Sequence, residues 1–207
     1  MSVDYTLERT ALARGYRSVC GVDEAGAGPL MGPVYAAAVI LPEDCVIDGL
    51  DDSKKLTEKR REALFDIICE TALAYSVAFV DAGEIDEIDI LNARMKAMQL
   101  AIDGLSVSAD YALIDGNRDH GTKYAITTPH ETVIGGDGRS MSIAAASILA
   151  KVSRDRFVTE VLDRQYPQYQ FARHKGYGTK LHYAMLDAYG PCGVHRMTFL
   201  KKWREKK

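Results

Sequence analysis

Four acidic residues stand where the chain is least able to shield them. Asp23 and Glu24 close an apolar approach (Val19, Cys20, Val22) and run straight into Ala25-Gly26-Ala27-Gly28-Pro29; Asp115 precedes Gly116, and Asp137 sits within Gly135-Gly136-Asp137-Gly138. Converging carboxylates repel one another unless cations neutralise them, and an all-oxygen donor set selects hard ions such as Mg²⁺ or Mn²⁺. Two such ions form the clamp used for in-line displacement at phosphorus. Asp23, Glu24, Asp115 and Asp137 are therefore the candidate catalytic and metal-binding residues, with two Mg²⁺ or Mn²⁺ ions per site as the implied cofactor. Neighbours on a strand point to opposite faces, so Asp23 and Glu24 share one centre only if the strand bends or one of them offers its backbone carbonyl. Two other readings of this stretch stay open: a tight turn with two solvated acids, and a dinucleotide fingerprint. The second is weaker, because G-x-G-x-x-G from Gly26 would need glycine at Met31, and an upstream carboxylate pair does not suit an anionic pyrophosphate.

The elements that must position these acids alternate between strand and helix. Apolar patterning predicts a short surface helix over residues 3–14, a strand over 18–23, and a strand over 34–41 that is apolar throughout and so covered on both faces. Helices are predicted over 57–74, 84–105, 142–165, 180–189 and 195–203, with strands over 75–80 and 110–114 and an extended segment over 123–134. An acid at the carboxyl end of a buried strand, as at Asp115, is well placed to face a site in an α/β sheet. The run Lys151, Arg154, Asp155, Arg156 reads as a salt-bridged helix face. The expected fold is α/β, a mixed sheet flanked by helices with a helical C-terminal region.

With 207 residues, 47% hydrophobic and 27% charged, the chain has the composition of one ordinary globular domain. That domain is expected to span 1–207, with a core over about 18–165 and a basic region over about 171–207. No signal-type block or membrane-length apolar run is present, so a cytoplasmic location is expected. Cys20, Cys45, Cys69 and Cys192 have neither zinc-site nor disulfide-framework spacing. Residues 171–207 hold nine Lys/Arg against Asp187 and Glu205, a formal +7, which leaves -10 on the rest of a chain whose total is -3. A basic end on an acidic body suits a protein that holds cations in one place and phosphates in another. Lys54 and Lys55 are candidate phosphate contacts in a loop before a helix. Lys175 and Tyr177 share a basic, aromatic loop.

Five segments together resemble the successive motifs of the bacterial ribonuclease HII family: Asp23-Glu24-Ala25-Gly26-x-Gly28-Pro29, Asp52-Ser53-Lys54-Lys55-Leu56, Asp115-Gly116, the run from Ser142 to Asp155, and His174-Lys175-Gly176-Tyr177-Gly178-Thr179. They occur in the family's order over about residues 18–190. The resemblance implies an RNase H-like fold and an endonuclease that cuts the RNA strand of RNA/DNA hybrids. It further implies incision on the 5′ side of single ribonucleotides in duplex DNA, leaving 3′-hydroxyl and 5′-phosphate ends. By motif position the metal-binding acids fall on Asp23, Glu24, Asp115 and Asp137, and the tyrosine that packs on the sugar at the RNA-to-DNA junction falls on Tyr177. Asp155 matches a family position inside a helix and is not counted as a ligand. With about 17 residues before the first strand, the extra N-terminal domain of the ribonuclease HIII class is not expected. The expected partners are RNA/DNA hybrids and ribonucleotide-containing duplex DNA, with no membrane, and the chain is expected to be a monomer. Two rival functions are a non-catalytic nucleic-acid-binding module and a two-metal nuclease of the same fold acting on other DNA structures. A pure binder gains nothing from acids that face phosphates.

One position departs from the family's pattern, which has arginine between the two glycines where this chain has Ala27. Telling RNA from DNA comes down to one 2′-hydroxyl, a donor and an acceptor, which the backbone groups of Gly26, Ala27 and Gly28 can meet whatever the side chain. Ala27→Arg is therefore expected to change duplex affinity and its salt dependence. It should leave unchanged the cleavage ratio between duplexes with one ribonucleotide and with none. Poor selectivity in the native chain, restored by the arginine, would assign recognition to that side chain instead.

Overall fold

The computed structural model describes residues 3–50, 53 and 56–205. Lys54 and Lys55 lie outside the described residues. A five-stranded sheet runs in the order β3-β2-β1-β4-β5. Its strands are β1 (Val19–Ala25), β2 (Val34–Ile40), β3 (Ala74–Val80), β4 (Tyr111–Asp115) and β5 (His130–Val133). The first three pair antiparallel, whereas β4 lies parallel to β1 and β5 parallel to β4. The carboxyl ends of β1 and β4 therefore open on the same edge, and both end in acids.

Every residue of β2 is buried, as expected of a strand covered on both faces. Its Val34, Ala36, Ala38 and Ile40 join a core with α3 (Ala82–Ile88) and α4 (Ile90–Asp103). Its Ala37 and Val39 join another with α2 (Glu58–Thr71) and α5 (Met141–Arg156). The same alternation in β1 sends Cys20 and Val22 towards α4 and turns Gly21 and Asp23 to the α5 face. α1 (Thr6–Ala13) covers the β4–β5 end of that face and inserts a buried carboxylate. Glu8 Oε1 accepts from Ser142 N (2.9 Å), Ser142 Oγ (2.5 Å) and Ser140 Oγ (2.6 Å), at the amino end of α5. An acid there meets unpaired N–H groups and the positive end of the helix dipole.

Several predicted elements are interrupted. The helix expected over 84–105 is two helices, broken at Asp89, whose φ is +68° and whose side chain caps α4 through Asn92 N. Only His130–Val133 of the extended segment pairs in the sheet. The longest helix leaves α geometry after Arg156, passing through a π-helical stretch (Phe157–Leu162) into the short α6 (Asp163–Gln165). Beyond it come α7 (Phe171–His174) and α8 (Lys180–Tyr189). The helix expected over 195–203 is confined to α9 (Lys201–Arg204). Its first residues instead run beside the glycine loop, with Gly32 N bonded to Val194 O and Arg196 N to Leu30 O. Of the expected salt-bridged face, Lys151 does pair with Asp155 at 2.9 Å and Arg156 with Glu62, but Arg154 is fully buried.

α5 lies on β1 more closely than any side chain at Gly21 would permit. A Cβ built there would stand 2.1 Å from the Ser142 carbonyl carbon and 2.2 Å from Ile143 N. Those are backbone atoms of a helix that also carries one wall of the cleft, so relief would need the helix to move. Gly21→Ala is expected to lower the urea midpoint by the equivalent of about 2 to 3 kcal/mol or more. A midpoint unchanged from the native chain would show that α5 can shift without cost.

Candidate active site

The parallel ends of β1 and β4 bring Asp23 and Asp115 together, and the turn after β5 adds Asp137. One carboxylate oxygen from each lies within 4.8 Å of the others. Asp115 Oδ1 accepts from Gly136 N (2.7 Å) and Asp137 N (3.3 Å), which fixes the turn that carries Asp137. Gly136 is packed closely there: a Cβ would meet Ile143 Cδ1 at 2.5 Å and Asp115 Oδ1 at 3.2 Å. Asp23 is 6% exposed, and burial, then the charges of Glu24 and Asp115, push its carboxyl well above the usual range.

Glu24 takes the opposite face of β1, as the pleat requires. Its Oε1 pairs with Arg94 of α4 at 2.6 Å, while its buried Oε2 has no hydrogen-bond partner among the described residues. Burial raises the Glu24 pKa, and Arg94 opposes that rise. The conflict between adjacent acids is thus met at the sheet end, where both line one cleft with Asp115. An unpaired buried carboxylate oxygen beside a three-acid cluster is a donor set suited to a hard cation.

Gly26, Ala27 and Gly28 line this cleft together with Tyr177, a residue 44% exposed. A Cβ on Gly28 would lie 3.9 Å from that ring, and one on Gly26 would strike Arg154 Nε at 2.0 Å. Arg154 donates to Pro33 O (3.2 Å) and Lys175 O (3.2 Å), tying the glycine loop to the Tyr177 loop. Lys175 itself is turned from the cleft: its Nζ donates to Thr159 Oγ1 at 2.5 Å and lies 3.8 Å from Glu58. Arg61 donates to Ser53 O (2.9 Å) and Leu56 O (2.5 Å), and Ser53 lines the cleft.

Ser147 and Lys151 also line the cleft, one helical turn apart on α5, and sequence reasoning passed over both. The sequence places Lys151 on a salt-bridged helix face and singles out no role for Ser147. Lys151 serves both roles, its Nζ being 2.9 Å from Asp155 and 6.0 Å from the centre of the Tyr177 ring. Arg94 was missed altogether; the pleat rule that sends Glu24 towards α4 was the signal for a cation on that helix.

Two buried histidines, His182 and His195, hold the Tyr177 loop. His182 Nδ1 donates to Tyr177 O (3.0 Å), so its Nε2 must accept from His195 Nε2 (3.1 Å), and His195 Nδ1 in turn accepts from Cys192 N (2.9 Å). His174 Nε2 donates to Tyr169 O (3.0 Å) and its Nδ1 accepts from Gly176 N (3.2 Å). Each ring keeps one proton and is neutral.

The sheet order and the placement of the acids set the chain among α/β nucleases of the ribonuclease H type. Ribonuclease H2 from Pyrococcus horikoshii, a crystal structure, aligns with a TM-score of 0.74 at 27% identity, covering 92% of this chain and 98% of that one. Within that class the ribonuclease HII model matches residues 20–202, and the chain belongs to the ribonuclease HII family. Ribonuclease HII of Caldicellulosiruptor saccharolyticus is 52% identical over 200 residues, covering 95% of this chain and 94% of that protein. The Bacillus licheniformis enzyme is 49% identical over 194 residues, covering 94% and 74%. The chain is a ribonuclease H, an endonuclease. Among the described residues no helix is long and apolar enough to cross a membrane.

The neutral rings behind Tyr177 give the fold a pH dependence of known sign. Burial pushes both His182 and His195 down to about 4 from an ordinary 6.5. Between those values the unfolded chain binds more protons than the folded one. The stability these rings contribute is therefore full above about pH 6.5 and is lost as pH falls towards about 4. Ring-proton resonances of both residues are expected to hold their neutral positions until close to the lower value; rings that titrate near 6.5 would show that the fold does not keep them neutral.

Proposed function

We propose that this ribonuclease H holds two divalent cations, Mg²⁺ or Mn²⁺, between Asp23, Glu24, Asp115 and Asp137. Its proposed action is to cut the RNA strand of RNA/DNA hybrids and to incise on the 5′ side of single ribonucleotides in duplex DNA, leaving 3′-hydroxyl and 5′-phosphate ends. The observation that carries the reading is the buried acid cluster in a cleft lined by glycine backbone and by Tyr177. Three carboxylates within 4.8 Å, together with the unpaired Glu24 Oε2, suit hard cations and nothing anionic. Such ions, when bound, activate water and stabilise charge on the departing 3′ oxygen.

The chain's own residues do the rest. Asp23 and Asp115 supply fixed negative charge from the ends of neighbouring strands, and Asp137 is set by the turn hydrogen-bonded to Asp115. Arg94 fixes one oxygen of Glu24 and leaves the other, buried and unpaired by the described residues, on a residue that lines the cleft. The open wall at Gly26–Gly28 lets a sugar approach the main chain, where donors and acceptors can meet a 2′-hydroxyl. Tyr177 offers a flat apolar face for the sugar at the junction, and stacking-type contacts of this sort are worth roughly 1 to 3 kcal/mol. Lys151 and the +7 of residues 171–207 supply attraction for phosphates. The reaction needs no histidine base. Monomeric action on duplexes in the cytoplasm, without a membrane, fits these features.

The test is incubation with a duplex that carries one ribonucleotide. Nicking is expected on its 5′ side, only with divalent metal, and the all-DNA duplex should remain intact; nicking that persists in excess EDTA would overturn the metal assignment. Asp23→Asn removes a charge whose ionisation the fold opposes. The metal-free variant should melt above the native chain, gain less from added Mg²⁺, and lose cleavage. Near-native turnover in that variant at saturating Mg²⁺ would remove Asp23 from the ligand set.

A further inference from the structure

Arg196 lies behind the glycine loop, with no exposed surface. Its guanidinium donates to four carbonyls of that one loop: Gly26 O at 2.7 Å, Ala27 O at 3.1 Å, Pro29 O at 2.9 Å and Gly32 O at 2.9 Å. A guanidinium is a rigid planar fork, so the four acceptors are fixed relative to one another as well as to the fork. Arg196 is itself set from two sides. Its N–H bonds to Leu30 O at 2.9 Å, and the turn that follows is gripped by Asp86, which accepts from Met197 N (2.6 Å) and Thr198 N (2.9 Å).

The carbonyl directions decide the amide directions. Among the described residues no peptide bond is cis, and in a planar trans peptide the N–H points opposite to the carbonyl it shares a plane with. Turning the Gly26 and Ala27 carbonyls to Arg196 thus turns the Ala27 and Gly28 N–H groups the other way, towards the cleft that these residues line. Neither N–H has a protein acceptor among the described residues. Two adjacent donors, aimed outwards and left unpaired by the protein, match the acceptor lone pairs of a 2′-hydroxyl or a neighbouring phosphate oxygen.

We propose that Arg196 is a positioning residue for ribonucleotide recognition: by holding the carbonyls of Gly26 and Ala27, it aims the Ala27 and Gly28 N–H donors at the sugar of the strand to be cut. The inference rests on the functional reading above. It agrees with the expectation that Ala27 leaves selectivity unchanged, because the aim is set from behind the loop and not by the side chain between the glycines.

Arg196→Lys keeps the charge and loses the fork, since one ammonium cannot span four carbonyls. The experiment compares native chain, Arg196→Lys and Asp86→Asn by unfolding temperature, by ¹⁵N relaxation of residues 26–28, and by kcat and KM on duplexes with one ribonucleotide and with none. The folded lysine variant is expected to show increased fast motion of Ala27 and Gly28, and a kcat on the ribonucleotide duplex lower by about tenfold to a hundredfold. Its KM for the duplex and its Mg²⁺ dependence should stay near native. Asp86→Asn should move the same quantities less, and it decides the matter if the lysine variant does not fold. A folded variant with a loop as rigid as the native one, or with native kcat and selectivity, would overturn the proposal. If the native chain itself fails to cleave, the functional reading falls, and the relaxation data still establish whether Arg196 holds the loop.

Discussion

Mutual repulsion of carboxylates at one end of the sheet is the constraint around which the rest is arranged. Asp23 and Asp137 are each 6% exposed, so water screens little of their charge. No fold gathers such groups for its own stability, and each ionised acid added there raises the free energy of the cation-free protein. The apolar layers on both faces of the sheet, with β2 buried along its whole length, supply what offsets this. The acids sit at strand ends and in a turn, positions the sheet fixes firmly without enclosing them on all sides.

A second layer of polar burial supports the glycine loop that follows the acids of β1. Arg154 and Arg196 are both fully buried, and both hydrogen-bond mainly to backbone carbonyls of the loop between β1 and β2. Loops of this composition are usually mobile, because glycine gives up much conformational freedom on ordering. Here the freedom is removed by cations placed under the loop, at positions where side chains would collide: a Cβ on Gly26 would overlap the Arg154 side chain. The glycines thus serve close packing behind the loop as much as access in front of it.

Much of this was legible in the sequence, and the limits have physical causes. The four acids, the glycine loop and Tyr177 announced themselves because chemistry-bearing residues lay next to breaks in apolar periodicity. Strand periods placed β1 to β4 nearly to the residue. What escaped was mostly what depends on which polar side chains an element turns inward. Arg154 and Arg196 read as surface cations because arginine usually is, and only the main-chain carbonyls around them make their burial tolerable. Glu8, on a helix expected to lie at the surface, receives hydrogen bonds from Ser140 and Ser142 across a separation of more than a hundred residues. The break at Asp89 was hidden because its cap preserves helical spacing on either side, and the π-helical stretch after Arg156 leaves no compositional trace.

The distance in sequence between the glycine loop and the arginine beneath it has a consequence for the order of synthesis. Gly26 and Arg196 are separated by 170 positions, and the acids all precede the arginine. A chain leaving the ribosome can assemble the sheet, and with it the acid cluster, well before the residue that fixes the glycine loop has been made. A nascent chain that has not reached Arg196 would then carry the acids beside a glycine loop that lacks the guanidinium beneath it. The ordering of the glycine loop by Arg196 thus waits on a residue made long after the acids.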